Sequence, residues 1–280
     1  MRSVFRVILL SFLILGLSGC ANKSQEEVLP EEVYYENARE AMNSGNFTEA
    51  ERNLDFLETY YPFGRYAEQA QLDLIYARYQ NLDLEGARAA ADRFLRLNPQ
   101  SEHADYALYL RGVASYNLDI SLAGRYFPID VSARDPGEQR QAFQDFSTLL
   151  NRYPDSEYAA DARQRMIAIR NRMANLELQA ARYYIKREAY LAANNRARYV
   201  FENFSTTPAA EEALIIMVET YQFMGLDEAA SDTLQLLAVN FPESEAFTTD
   251  MKFQPSLLKR QNRSLLNVVT FGLFGDSDED

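Results

Sequence analysis

Cysteine and histidine are almost absent from this 280-residue chain, and tryptophan is absent altogether. Cys20 is the only cysteine, so the chain can form neither an internal disulfide nor a metal site or catalytic dyad built from cysteines. His103 is the only histidine, which argues against a usual zinc site and against a Ser-His-Asp triad. The glycine-rich strings of nucleotide-binding loops do not occur either. We therefore expect a protein that is not an enzyme and that uses no metal and no cofactor.

Long apolar runs are also scarce, and the one that stands out lies near the N-terminus. Arg2 and Arg6 give a basic start, and an apolar stretch from Val7 to Leu17 follows. Eleven helical residues span about 16 Å, roughly half of the hydrocarbon core of a bilayer. Residues 1–19 are therefore predicted to be a signal peptide and not a transmembrane helix.

The signal peptide ends in Leu17-Ser18-Gly19-Cys20, which resembles a bacterial lipobox. That resemblance implies cleavage before Cys20, which would then carry an S-diacylglycerol group and an N-acyl chain such as palmitate. The alternative is a small buried cysteine in an uncleaved leader. Each buried methylene contributes about 0.8 kcal/mol, so several acyl chains would anchor the protein permanently.

The residues after Cys20 bear on where the anchor lies. Ala21 stands where an aspartate would resemble an inner-membrane retention signal, which favours the outer membrane. Residues 20–31 are mostly polar and lack periodicity, as expected of a lipidated tether. The folded part would then face the periplasm.

Basic residues are outnumbered throughout the chain. There are 28 Lys and Arg against 41 Asp and Glu, and loss of Arg2 and Arg6 with the leader changes the net charge from −13 to −15. The negative net charge argues against nucleic acid as a partner. It is compatible with basic patches on partner proteins, although solubility alone explains it equally well.

An alanine followed twelve residues later by a proline recurs along the chain. The pairs are Ala50 with Pro62, Ala87 with Pro99, Ala142 with Pro154 and Ala230 with Pro242, while a fifth alanine, Ala193, has Ser205 at that place and Pro208 three residues later. The alanines stand 37, 55, 51 and 37 residues apart, which indicates a unit in the mid-thirties with longer spacings in the middle. Self-similarity at this period predicts a helical solenoid, whose units bury their apolar faces against one another.

Further apolar residues stand four and seven positions after each alanine, which places one apolar stripe on a helix that the proline ends. We predict first helices near 32–44, 65–80, 101–117 and 209–224, and second helices near 47–60, 84–97, 136–151, 188–203 and 227–240. Residues 155–187 contain neither Gly nor Pro and predict one helix of about thirty residues, capped by Asp155 or Ser156.

These elements predict an all-α fold, a solenoid of five helix pairs with about ten helices, in which the long helix joins two halves. Residues 32–154 would hold repeats 1–3, residues 155–243 the long helix and repeats 4–5, and residues 244–280 a tail. The spacing and pitch resemble the tetratricopeptide repeat (TPR), although its usual tryptophan is missing.

Three strings within these repeats are more specific. They are Tyr61-Pro62-Phe63-Gly64, the string from Gln71 to Ala77, and the string from Asp92 to Pro99. Together with the lipobox and an insertion from Leu118 to Asp135, they resemble the BamD family of outer membrane protein assembly factor lipoproteins.

The resemblance implies a non-enzymatic scaffold of the β-barrel assembly (BAM) complex. It implies that C-terminal repeats bind the POTRA domains of BamA, that BamC and BamE are partners, and that N-terminal repeats bind targeting segments of unfolded outer-membrane β-barrel proteins. The family's Asn-Arg pair that faces BamA matches Asn195 and Arg196 here. The alternative for Arg196 is a solvated charge on a helix surface.

Aromatic residues crowd the first repeat and the start of the second. Tyrosine offers a large apolar face with a polar tip, which suits the binding of an extended peptide. We predict a substrate groove from a subset of them, with these candidates: Tyr60, Tyr61, Phe63, Tyr66 and Tyr76. The alternative is that most are packing residues with hydroxyl groups at the surface.

The tail combines a basic amphipathic segment, 256–266, with an apolar segment, 268–274, and an acidic end. It could lie on a membrane, dock on a partner or stay disordered.

For the whole chain, the alternative function is a general periplasmic TPR adaptor lipoprotein of another cell-envelope complex. A third class, a hydrolase, is not expected, because the chain lacks a nucleophile paired with a base.

Overall fold

The computed structural model describes residues 28–118 and 137–255. Within these ranges the fold is all-α, as predicted, with ten helices. They are α1 (Glu31–Asn43), α2 (Phe47–Tyr60), α3 (Ala67–Gln80), α4 (Leu84–Leu97), α5 (Ala104–Leu118), α6 (Gly137–Arg152), α7 (Ala159–Lys186), α8 (Tyr190–Asn203), α9 (Ala209–Phe223) and α10 (Asp227–Asn240). Apart from α7, each helix begins and ends within three residues of its predicted bounds.

The chain divides into two compact units between Ala77 and Arg78, inside α3. In the first unit, α1 packs on α2, and one apolar core includes Tyr34, Leu54 and Leu74. In the second unit, consecutive helices from α4 to α10 pack on one another, and α7 also packs on α9. The predicted boundary between repeats 3 and 4, at residue 154, lies inside this second unit.

The repeating alanines are all buried in the second helices. Four of them have no exposed surface, and the fifth, Ala230, is 5% exposed. The residues four and seven positions later are also buried, except for Leu234 on α10, which is half-buried. A methyl side chain lets a neighbouring helix approach closely, while the larger residues one and two turns on fill the space beside it. The alanine pattern in the sequence therefore marks the buried face of the second helices.

All five second helices end in the same backbone geometry. In each, the residue after the last helical one donates its N–H to the carbonyl oxygen four residues earlier, as Tyr61 does to Leu57 and Phe204 to Val200, both at 2.8 Å. Proline follows that residue in four of the helices, whereas Ser205 follows Phe204. Proline thus reinforces a helix end that the chain also forms without it.

The turns inside four helix pairs share one left-handed residue. Gly45 and Gly225 have φ values of 76° and 70°, and Leu82 and Glu188 adopt 63° and 58° at the equivalent place. The next residue then bonds back into the first helix, as Asn46 N–H does to the Ala41 carbonyl at 2.8 Å. The geometry is that of a Schellman-type helix end, which favours glycine because it has no Cβ.

The predicted cap of the long helix was wrong. The helix α7 begins at Ala159, and its N-cap residue is Tyr158 rather than Asp155 or Ser156. Ser156 instead donates its hydroxyl to the Asp105 carboxylate at 2.6 Å, which ties the chain before α7 to the start of α5. A tertiary contact therefore takes the side chain that local sequence assigned to capping.

Arg111 on α5 holds three helices of the second unit together. Its guanidinium donates to Asp92 on α4 at 2.5 Å and to Asp145 on α6 at 2.7 Å. Asp145 is almost fully buried, and this burial raises the pKa of its carboxyl group, while Arg111 opposes the rise. Loss of Arg111 would leave a buried carboxylate without its positive partner, which is strongly unfavourable.

The turn geometry predicts opposite effects for two substitutions. In Gly45→Ala no heavy atom would lie within 4 Å of the new Cβ, so the cost comes from the positive φ alone, about 1 kcal/mol of unfolding free energy. Leu82→Gly relieves the same strain in the next turn and should not destabilise the protein. Chemical denaturation of both variants tests this. Equal stability of Gly45→Ala and wild type would contradict it.

Candidate functional site

The predicted groove residues of the first unit pack in separate places. Tyr60 is 43% exposed and stacks on Tyr34 and Phe56 with ring centroids 6.2 Å and 6.1 Å apart. Tyr76 on α3 contacts Phe47 edge to face at 5.9 Å. The contacts with Tyr34 and Phe47 join one helix to another inside the unit, so part of each ring serves packing.

Tyr61 and Tyr66 make hydrogen bonds or ring-stacking contacts within the first unit. The Tyr61 hydroxyl donates to the carbonyl of Leu29 at 2.9 Å. Tyr66 stacks on Tyr35 with centroids 4.5 Å apart, and its backbone N–H donates to Glu31 Oε1 at 2.7 Å. These two tyrosines fix the start of the described chain and the loop between α2 and α3.

Phe63 differs from the other four candidates because its side chain is 97% exposed. It lies in the loop between α2 and α3, which the backbone bond from Gly64 N–H to the Tyr61 carbonyl closes at 3.0 Å. A fully exposed phenylalanine contributes nothing to the core of its own chain. Phe63 and the exposed edge of Tyr60 are therefore the apolar surface that this set offers to a ligand.

A partly buried carboxyl group lies beside these aromatic residues. Asp73 on α3 accepts a hydrogen bond from Gln69 at 2.9 Å, and Tyr35 and Arg39 lie close to it. Burial raises the pKa of Asp73, and the three neighbours oppose that rise. Burial also raises the pKa of the Tyr35 hydroxyl. The site thus favours a neutral group at position 73.

Asn195 and Arg196 are both exposed on α8 in the second unit. Arg196 Nη1 donates to Glu177 Oε2 on α7 at 2.9 Å, and this hydrogen bond is the main cause that raises the pKa of Arg196. The Arg196 side chain nevertheless remains 47% exposed. Because arginine carries five N–H donors, the guanidinium can bind Glu177 and a partner at once.

The neighbouring asparagines of α8 have opposite roles. Asn194 is fully buried, and its Nδ2 donates to the Thr220 hydroxyl on α9 at 2.9 Å. Asn195 points outward, and its Oδ1 accepts from Arg198 at 3.0 Å. The buried amide anchors α8 to α9 and so sets which way Asn195 and Arg196 face.

Two exposed apolar residues, which were not predicted from the sequence, flank Asn195. Leu191 and Tyr199 stand four residues before and after it and are 62% and 45% exposed. Residues four apart share a helix face, so Leu191, Asn195 and Tyr199 form one ridge, here called the α8 ridge, with Arg196 on its flank. Counting in steps of four from Asn195 would have found both residues.

Other predicted features lie outside the described residues. These are Cys20 and the lipobox, most of the insertion from Leu118 to Asp135, and the tail segments from Ser256 onward. In the described ranges, no group of three or more His, Cys, Asp and Glu side chains could hold a metal ion. The same ranges contain no helix with both the length and the apolar character needed to cross a membrane.

The described residues define an all-helical repeat protein. The family of YfiO outer membrane lipoproteins provides the closer assignment, since its model matches residues 27–237. The chain belongs to this family.

Curated relatives agree with the assignment. A protein of Neisseria meningitidis serogroup A is 39% identical over 250 residues, which cover 87% of this chain and 94% of that protein. One of Vibrio cholerae serotype O1 is 43% identical over 226 residues, which cover 80% of this chain and 93% of that protein. Both are named outer membrane protein assembly factor BamD, so the family resemblance seen in the sequence is confirmed. Both names describe assembly factors.

Similarity to solved structures is weaker. A tetratricopeptide repeat protein from Parabacteroides merdae is 15% identical, covers 76% of this chain and 68% of its own, and gives a TM-score of 0.35. A likeness at this level adds nothing to the family assignment.

The environment of Asp73 predicts a pH dependence. Its folded pKa is raised, so the neutral carboxyl group stabilises the fold at pH values below the unfolded pKa, and this contribution is lost as the pH rises through the folded pKa. Asp73→Asn is neutral at every pH. We expect its melting temperature, relative to wild type, to be higher at pH 7 than at pH 3. The exposed Glu36→Gln is the control, and an offset for Asp73→Asn that does not change with pH would contradict the expectation.

Proposed function

We propose that this protein is a non-enzymatic scaffold subunit of the machinery that assembles β-barrel proteins into the outer membrane. The observation that supports this most directly is the match of the chain, over most of its length, to proteins named outer membrane protein assembly factor BamD. The helical-repeat fold suits the role, because stacked helix pairs offer extended surfaces to several partners.

We further propose that Cys20 carries the lipid anchor and that the folded part faces the periplasm from the outer membrane. The lipobox from Leu17 to Cys20 and the alanine at position 21 support this. Residues 20–31, which are mostly polar, would then form the tether between the lipid and the folded part. Loss of the anchor in Cys20→Ser would release the protein from outer membranes.

The surface around Arg196 is the proposed contact for the POTRA domains of BamA. The α8 ridge supplies an apolar residue, an amide and an aromatic ring in a row, and Arg196 adds a half-exposed charge. Arginine and aromatic side chains dominate the binding energy of many protein interfaces. Glu177 holds the guanidinium in place before binding, which lowers the entropy lost when a partner docks.

The aromatic surface of the first unit is the proposed contact for unfolded β-barrel substrates. Of the five candidates, Phe63 and Tyr60 offer the most exposed ring area. Tyr61, Tyr66 and Tyr76 are less exposed and make contacts inside the unit, with Leu29, Tyr35 and Phe47 respectively. An extended peptide with an aromatic end would bury its ring against the exposed ones.

BamC and BamE are proposed as further subunits on the strength of the family resemblance. The alternative, a TPR adaptor of another envelope complex, makes a different prediction in detergent extracts. A BAM scaffold copurifies with a POTRA-bearing barrel protein, and its depletion lowers many outer-membrane barrel proteins together. Clear absence of that barrel protein from the purified complex would favour the adaptor.

Charge reversal tests the contact proposed for Arg196. In Arg196→Glu we expect POTRA-domain affinity to fall by about tenfold or more, because one charged partner is lost and a like charge faces Glu177. Calorimetric titration with isolated POTRA domains measures this. The control is Arg52→Glu, which changes the net charge equally at an exposed site on α2.

A swapped pair separates a direct contact from an effect on folding. The double variant Glu177→Arg with Arg196→Glu restores an ion pair between α7 and α8 but leaves no arginine at position 196. If Arg196 touches the partner, the double variant regains thermal stability and stays weak in binding. Affinity equal to wild type would show that Arg196 acts only within this chain.

Truncation of Phe63 tests the substrate surface. Because Phe63 is 97% exposed, Phe63→Ala should change stability by less than about 0.5 kcal/mol. It should weaken binding of a peptide from the C-terminus of a β-barrel protein by about fivefold or more, as expected for loss of an exposed aromatic contact. Fluorescence anisotropy measures the affinity. Phe223→Ala, at a 56% exposed site in the second unit, is the control, and equal losses in both variants would overturn the assignment.

A further inference from the structure

The five second helices are each followed by a loop with the same backbone bond. In every loop, the third residue after the one that follows the helix donates its N–H to the carbonyl of that residue, as Gly64 does to Tyr61 at 3.0 Å. The residues at this third place are Gly64, Ser101, Ser156, Thr207 and Ser244. Four of them carry a hydroxyl group, so the loop between α2 and α3 departs from the pattern.

The serine hydroxyl has one shared role in three of these loops, where it accepts the backbone N–H two residues later. The bonds run from His103 to Ser101 at 3.0 Å, from Tyr158 to Ser156 at 3.3 Å and from Ala246 to Ser244 at 3.2 Å. In the first two loops this N–H directly precedes a helix, α5 or α7. Backbone N–H groups at a helix start have no acceptor inside the helix, so the local hydroxyl supplies one.

In the loop between α2 and α3 the acceptor comes from another helix. Gly64 has no side chain, and the N–H two residues later, that of Tyr66, donates to Oε1 of Glu31 on α1 at 2.7 Å. A Cβ at position 64 would overlap the Glu31 carboxylate, so this close approach requires glycine. The Leu29 carbonyl accepts the Tyr61 hydroxyl at 2.9 Å. Both ends of the loop are therefore bound by the same short segment of chain.

The same loop also differs from the others in the residue that it exposes. Phe63 directly precedes Gly64 and is 97% exposed. The residues at the equivalent place in the other four loops are all polar and exposed: Gln100, Asp155, Thr206 and Glu243. The unusual acceptor and the unusual exposed ring thus occur in one loop, at adjacent positions.

We propose that Glu31 is a positioning residue for the substrate surface, because it holds the loop between α2 and α3 in the conformation that exposes Phe63. This role rests on the proposed function of Phe63 as a contact for β-barrel substrates. A carboxylate forms a stronger hydrogen bond with a backbone N–H than a neutral hydroxyl does. A loop that is fixed before binding loses less conformational entropy when a peptide docks on it.

Removal of the carboxylate, followed by restoration of a local hydroxyl, tests this role in the full chain. In Glu31→Ala, hydrogen exchange of the Tyr66 amide, measured by NMR, should become about fivefold faster, as expected for loss of a helix cap. Affinity for a C-terminal peptide of a β-barrel protein should fall toward that of Phe63→Ala. In Glu31→Ala with Gly64→Ser, the serine fits the vacated space and should return both measurements to near wild type. Glu32→Ala is the control, since it removes the same charge from an exposed neighbour in the first turn of α1.

A double-mutant cycle separates positioning from direct contact with the peptide. Glu31→Ala should cause no further loss of affinity in a Phe63→Ala background, because it acts through that ring. Additive losses would show that Glu31 contacts the peptide itself and would overturn the positioning role. An unchanged Tyr66 exchange rate in Glu31→Ala would also overturn it, as would wild-type affinity in Glu31→Ala beside a loss in Phe63→Ala. Wild-type affinity in Phe63→Ala would instead contradict the proposed substrate surface, and the exchange rates would then decide whether Glu31 holds the loop.

Discussion

The close approach of helices at the repeating alanines is the contact on which the rest of this structure depends. Ala50, Ala87, Ala142 and Ala193 have no exposed surface, and each is followed one and two turns later by buried side chains. A larger residue at the alanine position would separate the helices and open a gap beside these side chains. The same local arrangement recurs in both compact units, so one packing rule accounts for the buried face of the second helices.

Packing at the alanines also determines which residues are left for binding. Ala193, Ala197 and Val200 face the core of the second unit, so the opposite face of α8 must carry Leu191, Asn195 and Tyr199. Asn194 adds a buried hydrogen bond to Thr220 that fixes the rotation of the helix about its axis. The surface around Arg196 is thus a consequence of how α8 is buried.

The elements of the fold were predictable because their signals are local and repeated. Helix bounds follow from the apolar stripe and from the proline that comes soon after four of the five second helices. The features that local signals did not predict depend on the tertiary structure. Ser156 bonds Asp105 across 51 positions instead of capping α7, and Leu82 and Glu188 adopt positive φ values without being glycine. Leu234, which the pattern places in the core, packs against the core of the second unit but is only half-buried.

For the candidate sites, the sequence could name residues but not their surroundings. Composition and family resemblance pointed to the aromatic residues of the first repeats and to Asn195 and Arg196, and sequence by itself also determined the all-α class and the period of the repeat. Only the tertiary structure separated exposed Phe63 from the supporting tyrosines, and only it paired Arg196 with Glu177, 19 positions away. The physical reason is that periodicity fixes which face of a helix is buried, whereas the neighbour that a given side chain meets depends on how distant helices pack.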